Sequence, residues 1–179
     1  VRIMSDACNH AECEAAGAKF IAWTHAPNKP ERTREYDTWD DWSQVNPQEG
    51  FMNLMENLLV GPALAFAEDT IEELQREPAD LVVNSEMLFG PLLGCEAMGQ
   101  RCALVAVNVP LFPRPGFVPL GPGLKPPRNA ADRAMHDAIR ADLRDMLNTV
   151  LPTLNAARAK LGLKPLADIM DQHAHAEAL

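Results

Sequence analysis

Among the side chains that could move a proton, Glu86 is the acidic group that directly follows a buried strand, which we predict over residues 80–84. Partial burial at that point would favour the protonated acid, and this would suit Glu86 to general acid or base catalysis. The alternative is a solvated carboxylate at the start of the next helix, where the helix dipole stabilises negative charge.

The histidines offer a second set of candidate bases. His10 and His25 each follow a predicted strand, although a histidine in a loop is more often a plain surface residue. His136 lies among charged residues on a helix, so we expect it to be exposed. The D-x-H-x-H stretch at 171–175 is expected to be a solvated tail rather than a metal site, because positions i and i+2 of a helix point apart.

The sequence lacks the common motifs for phosphate, dinucleotide, zinc or nucleophilic-serine chemistry. The Gly-rich stretch at 121–123 follows no predicted strand, so it is a poor phosphate site. No C-x-x-C pair occurs, and we expect buried free thiols in a reducing cytosol rather than a zinc site or disulfides. The four cysteines are Cys8, Cys13, Cys95 and Cys102.

The spacing of apolar residues, glycines and prolines divides the chain into alternating strands and helices. Gly61-Pro62 should kink one long helix or split it into two abutting helices, and Pro152 should kink another. The predicted segments are strand 2–5, helix 9–16, strand 19–23, irregular chain 24–47, helix 51–74, strand 80–84, helix 87–98, strand 102–107, proline-rich loop 110–127 and helix 129–161.

This alternation predicts an α/β fold in which helices flank a doubly wound, Rossmann-like parallel sheet. The loops at the carboxyl ends of the strands form the ligand crevice in such a sheet. Here these loops, at 6–10, 23–27, 84–89 and 108–117, offer apolar surface with few polar groups, which suits a largely apolar small molecule. The candidate binding residues are His25, Phe51, Met55, Ser85, Met87, Phe89, Asn108 and Phe112.

Composition narrows the class of partner. The chain has 179 residues, of which 47% are hydrophobic, and this predicts one domain with a sizeable core. Its 16 basic and 25 acidic residues give a formal charge of −9. An excess of acidic residues disfavours nucleic acid and anionic membranes as partners. No apolar run is long enough to predict a membrane span.

Several stretches, taken in order, resemble the acceptor-binding half of the GT-B glycosyltransferases. Residues 79–109 resemble a strand, helix and strand of that half, and residues 1–6 with 14–23 resemble its second strand, second helix and third strand. VPLFPRPGFVPLGPGLKPP, at 109–127, resembles the proline-rich loop of a bacterial branch that includes macrolide and antibiotic glycosyltransferases. The LN-x-x-R-x-x-LGL-x-PL pattern at 154–166 resembles a motif of the same enzymes.

The resemblance implies an enzyme similar to the UDP-glycosyltransferases. These enzymes move a sugar from a nucleotide sugar to a lipophilic acceptor, with inversion and usually without a metal or other cofactor. A His base would take the acceptor proton, and an acidic partner would orient that His; Glu86 is the nearest match to the partner. The family's first strand and catalytic His would precede Val1, and its nucleotide-sugar domain would follow Leu179. Residues 1–179 are therefore expected to be a single partial acceptor-binding domain, cytoplasmic and inactive alone.

The resemblance also has a consequence for the sheet. The family's first strand lies between its second and fourth strands, so its absence would leave two half-sheets facing each other across a slot. Unpaired central edges favour aggregation. We therefore expect a missing segment or a second chain to complete the sheet, unless residues 2–5 pair directly with residues 80–84.

Two other classes of function remain open. A non-catalytic module that binds a small molecule or a partner is compatible with the charge and with the missing His. A Rossmann-like enzyme acting on nucleotides, such as an epimerase, is disfavoured because no Gly-rich phosphate loop follows a strand.

Overall fold

The computed structural model describes residues 1–37, 43, 46–106, 117–119 and 123–176. These residues form four short strands and six α-helices, joined by shorter 3₁₀ and π turns. The elements are β1 (Arg2–Ser5), α1 (His10–Ala15), β2 (Lys19–Ala22), α2 (Pro47–Leu54), α3 (Ala63–Arg76), β3 (Val82–Ser85), α4 (Phe89–Met98), β4 (Cys102–Val105), α5 (Ala130–Asn148) and α6 (Leu151–Lys160).

The described strands form two separate parallel pairs. β1 pairs with β2 in the register Arg2 to Lys19, and β3 pairs with β4 in the register Val82 to Cys102. Since α1 connects the first pair and α4 the second, each pair belongs to a β–α–β unit. The α/β class with parallel strands is therefore confirmed, but the described strands do not combine into one sheet, and β1 does not pair with β3.

Among the described strands, β1 and β3 each have one unpaired edge, and the two strands lie near each other at both ends. Near the start of β1, the Arg2 guanidinium donates to the carbonyls of Glu77 and Pro78, at 2.5 and 3.3 Å, just before β3 begins. Near the other end, Met4 borders the same cavity as Leu88, which follows β3. The two strands therefore run in the same direction.

Two glycines allow α3 and α4 to pack closely. A Cβ atom at Gly90 would lie 2.3 Å from Cβ of Phe66 and 2.5 Å from the carbonyl oxygen of Ala63. A Cβ atom at Gly94 would lie 2.9 Å from the carbonyl oxygen of Ala67. Glycine is required at this contact because any larger side chain would push the two helices apart.

The main core is built where α5 and α6 meet the α3–α4 pair and the turn that follows α2. Its fully buried side chains include Met55, Phe89, Leu93, Leu147 and Leu154. A smaller cluster lies under β3 and β4, where Leu92 and Cys95 pack against Cys102. No described helix is both long enough and apolar enough to cross a membrane.

The breaks predicted in the two long helical stretches are confirmed. A π turn over Met55–Leu59 follows α2, and α3 begins after Gly61-Pro62, so two helices abut there. The second stretch divides into α5 and α6, with Pro152 in the first turn of α6. Proline is tolerated in that position because its missing N–H would have no helical partner.

Two expectations about solvent exposure are wrong. His136 is only 1% exposed, rather than lying on an exposed face, and its Nδ1 atom has no hydrogen-bond partner. The 171–175 stretch is not a solvated tail, because the 3₁₀ segment Ile169–His175 packs against α4 and buries Gln172 completely.

The 154–166 motif folds into a clamp around a buried ion pair. Arg158 is 1% exposed and binds the Glu96 carboxylate through both Nη atoms, at 2.6 and 2.7 Å. Its Nε donates to the Lys164 carbonyl at 2.7 Å, and its Nη1 donates to Gln172 at 2.5 Å. Asn155 accepts from the backbone N–H of Leu166 and donates to its carbonyl. The spacing within the motif therefore serves to anchor the chain after α6 onto α4.

The charge of Arg158 is compensated almost entirely by Glu96. Burial alone would raise the pKa of Glu96, but hydrogen bonds from Arg158 and Gln172 outweigh it and hold this pKa below its ordinary value. A carboxylate with a lowered folded-state pKa stabilises the fold above its unfolded pKa, and this stability is lost as the pH falls through the folded-state value.

We predict that Arg158→Met lowers the free energy of unfolding by about 3–5 kcal/mol, because it leaves the Glu96 carboxylate partly buried without its partner. Urea denaturation at pH 7 measures the change. Lys160→Met, which removes an exposed charge from the same helix, should change the value by less than about 0.5 kcal/mol. Equal losses for the two variants would contradict this account of the clamp.

Candidate functional site

The loops that follow β1 and β2 are bound to each other. The Asn28 side chain accepts from the N–H of Ala7 at 2.7 Å and donates to the carbonyl of Trp23 at 2.9 Å. Asp6 Oδ1 accepts from the N–H of Lys29 at 3.2 Å, and the N–H of Cys8 donates to the Lys29 carbonyl at 3.0 Å. The two loops therefore form one frame at the carboxyl ends of their strands.

Asp69 on α3 fixes the start of the second loop. Its carboxylate accepts from three consecutive backbone N–H groups, those of Thr24, His25 and Ala26, at distances of 2.9 to 3.1 Å. Asp69 is only 4% exposed. A buried carboxylate is stable only with such a set of donors, so side chain and loop hold each other in place.

The frame forms one wall of a cavity of about 680 Å³ at the carboxyl ends of the strands. The other walls come from the π turn, from α3 and from the turn after β3. Trp23 packs edge-on against Phe66, with ring centroids 4.9 Å apart, and both rings border the cavity. The described lining residues are Met4, Ser5, Asp6, Trp23, Pro27, Lys29, Arg32, Thr33, Arg34, Asp37, Leu58, Leu59, Phe66 and Leu88.

The lining combines apolar walls with a polar rim. Two basic residues of the rim are paired with carboxylates, since Lys29 contacts Asp37 and Arg32 lies 2.6 Å from Glu12. A volume of this size with mainly apolar walls is typical of a site for a drug-sized molecule. The cavity is therefore suited to a largely apolar ligand.

The turn after β3 supplies the wall that contains Leu88. The Asn84 side chain donates to the Leu88 carbonyl at 2.7 Å, and the N–H of Leu88 donates to the Ser85 carbonyl at 3.2 Å. Glu86 binds through its backbone, since its N–H donates to the Val105 carbonyl at 3.1 Å and its own carbonyl accepts from His173. Its position directly after β3 is as predicted, and the residue is 2% exposed.

The structure places the predicted binding residues beside the cavity rather than in its described lining. Met55 and Phe89 are core residues, at 0% and 1% exposure, and Phe51 and Met87 pack against the same core. Ser85 uses its hydroxyl to accept from the N–H of Met87. Asn108 and Phe112 lie outside the described residues, as does most of the proline-rich loop.

His25 lies at the surface, on the outer side of the loop that Asp69 holds. Its Nε2 atom is 2.9 Å from Glu72 Oε1. The hydrogen bond with Glu72 and the charge of that carboxylate raise the pKa of His25 above its ordinary value. His25 and Glu72 form an exposed pair on neighbouring elements, and neither is a described lining residue of the cavity.

The cysteines provide no metal site within the described residues, where no cluster of three or more His, Cys, Asp or Glu side chains is arranged to hold an ion. All four are free, and Cys95 and Cys102 are each 1% exposed, as predicted for buried thiols. The hydrogen bond with Cys102 and burial raise the pKa of Cys95, which keeps its thiol protonated and unreactive.

Sequence reasoning missed Asp69 and Trp23. Asp69 lies in a helical stretch with other acidic residues, Glu68 and Glu72 among them, and in the sequence it has no feature that separates it from a solvated carboxylate. Trp23 directly follows β2 and belongs to the loop at 23–27, so its position at the end of a strand could have identified it as a candidate binding residue.

We predict that Asp69→Asn lowers the free energy of unfolding by about 2–3 kcal/mol, because an amide nitrogen would then face a backbone N–H in place of an acceptor. Hydrogen exchange of the amides of Thr24 to Ala26 should accelerate selectively. Glu68→Gln changes an exposed neighbour on the same helix and should leave both quantities unchanged. Unaltered exchange in the Asn variant would contradict the role given to Asp69.

No protein-family model matches this chain, and no curated protein matches it.

Proposed function

We propose that this chain is the acceptor-binding part of an inverting glycosyltransferase that moves a sugar from a nucleotide sugar to a lipophilic small molecule. The observation that carries the proposal is the cavity of about 680 Å³, mainly apolar, at the carboxyl ends of parallel strands. Ligands bind at this edge in open α/β sheets. The transfer step rests on the resemblance of residues 79–109 and 154–166 to such enzymes. The proposal also includes a cytoplasmic location, on the basis of the same resemblance.

The proposed reaction needs a catalytic base and a nucleotide-sugar site in addition to the cavity. No histidine is among the described lining residues of the cavity. Asp6, which does line it, already accepts from the backbone N–H of Lys29. In this proposal the catalytic His and the nucleotide-sugar domain belong to further polypeptide, and Glu86 remains the predicted acidic partner of that His.

The same proposal includes a strand between β1 and β3, from a further segment or a second chain. In parallel pairing, alternate residues of a strand bond to each neighbour. The N–H of Val82 and that of Glu86 donate toward β4, so the backbone groups of Val83 and Ser85 point to the unpaired edge of β3. One extended segment that paired with both edges would unite the four strands into a doubly wound parallel sheet.

A second candidate is a non-catalytic module that binds a lipophilic molecule. The absence of a histidine from the described lining of the cavity favours it. It differs from the leading proposal in needing no nucleotide sugar. Sugar transfer after a nucleotide-sugar-binding domain is supplied would decide between the two.

We predict that a macrolide aglycone stabilises the purified chain. At about ten times the dissociation constant the gain should be about 1.4 kcal/mol, which corresponds to a rise in Tm of about 3–5 °C for a chain of this size. Differential scanning fluorimetry measures it. UDP-glucose should give no shift, because its binding domain lies elsewhere.

A substitution that fills the cavity tests whether the ligand binds there. Leu88→Trp places a large ring in the wall and should abolish the shift, while Met98→Trp, on the exposed end of α4, should leave it unchanged. A shift with UDP-glucose would favour a nucleotide enzyme, and a shift that survives in a folded Leu88→Trp variant would place the ligand outside the cavity.

We also predict that the unpaired edges of β1 and β3 exchange quickly in the isolated chain. Amides of Met4, Val83 and Ser85 should exchange with deuterium much faster than those of Asn84 and Glu86, which face β4. Hydrogen exchange followed by NMR measures the difference. Equal protection of both sets in a monomer would show that these edges are already paired.

A further inference from the structure

His173 bridges the C-terminal segment Ile169–His175 and the turn after β3. Its Nε2 atom lies 2.8 Å from the backbone carbonyl oxygen of Glu86, a residue 87 positions earlier in the chain. Its ring also stacks on Phe89, with centroids 5.7 Å apart and an interplanar angle of 16°. The two contacts fix both the position and the orientation of the imidazole.

The segment that carries His173 is itself held firmly. Asn148 Oδ1 accepts from the N–H of Ile169 at 2.9 Å, and Asp168 Oδ1 accepts from that of Met170 at 2.9 Å. Gln172 bonds to both members of the buried pair, at 2.5 Å to Arg158 and 3.0 Å to Glu96. His173 is therefore attached to a rigid support rather than to a loose terminus.

The turn that His173 contacts forms part of the cavity wall. Glu86 and Leu88 are two residues apart, and Leu88 borders the cavity. Asn84 and Ser85 bind the Leu88 end of the turn, whereas His173 binds the carbonyl at its middle. The bond from His173 therefore limits how far this wall can move.

We propose that His173 is a positioning residue, which holds the turn after β3 and thereby fixes the cavity wall that contains Leu88. A carbonyl oxygen can only accept a hydrogen bond, so Nε2 must carry the proton. The neutral imidazole with hydrogen on Nδ1 would place two lone pairs against each other. The role of this turn as a wall of a binding site rests on the function proposed above. The hydrogen bond from His173 and its tautomer do not depend on that function.

The first test needs no ligand. Long-range ¹⁵N–¹H correlation spectra distinguish the two neutral tautomers of a histidine ring, and His173 should show hydrogen on Nε2 at a pH where the ring is neutral. The amide of Leu88 should exchange faster in His173→Leu than in the natural chain. A ring with hydrogen on Nδ1, or unchanged exchange at Leu88, would overturn the proposal.

The second test measures the cavity with the uncharged lipophilic dye Nile red. His173→Leu removes the donor and should weaken binding about five- to tenfold, the equivalent of one hydrogen bond, whereas His173→Gln keeps a donor and should stay within about twofold. His175→Leu is the matched control, since His175 lies in the same segment but faces Glu96 at 3.4 Å. Equal weakening by His175→Leu, or undiminished binding by a folded His173→Leu, would contradict the role of His173. If the natural chain binds no dye while the tautomer is as stated, the proposed function fails and the positioning contact stands.

Discussion

The close contact between α3 and α4 is the constraint on which the rest of the molecule depends. The two described strand pairs share no ladder hydrogen bonds, so the packing of α3 on α4 links the two β–α–β units. Gly90 and Gly94 allow the backbones to approach closely enough for this. α3 also carries Asp69 and Phe66, which contact the loop after β2, so the same helix fixes the first unit and packs against the second.

This arrangement explains why an open cavity persists between the two units. The cavity lies at the carboxyl ends of the strands, where the loops after β1 and β2 and the turn after β3 form its walls. Asp69 keeps the loop after β2 in place on one side, and the turn after β3, held by Asn84 and His173, forms the other. The buried pair of Arg158 and Glu96 extends this support to the C-terminal segment. Each wall is thus fixed by polar contacts behind it, while the surface toward the cavity stays mainly apolar.

The sequence was informative wherever a pattern is local. Gly61-Pro62 and Pro152 both mark helix boundaries that the structure has, because backbone sterics act within a few residues. The carboxyl edge of the strands was also identifiable as the place of the cavity, through the loops that contain Trp23 and Leu88. Burial of several other polar groups was not predictable. His136, Arg158 and Asp69 resemble surface residues in the sequence, since their burial depends on distant parts of the chain and on how helices pack.

The central claim is that a lipophilic molecule occupies the cavity between Trp23 and the turn after β3. Isotope-filtered NMR of the chain with a bound macrolide aglycone tests it most directly. The account predicts nuclear Overhauser contacts from the ligand to the Trp23 indole and to the methyl groups of Leu59 and Leu88. Contacts confined to other surfaces, or none with the ligand in excess, would contradict it.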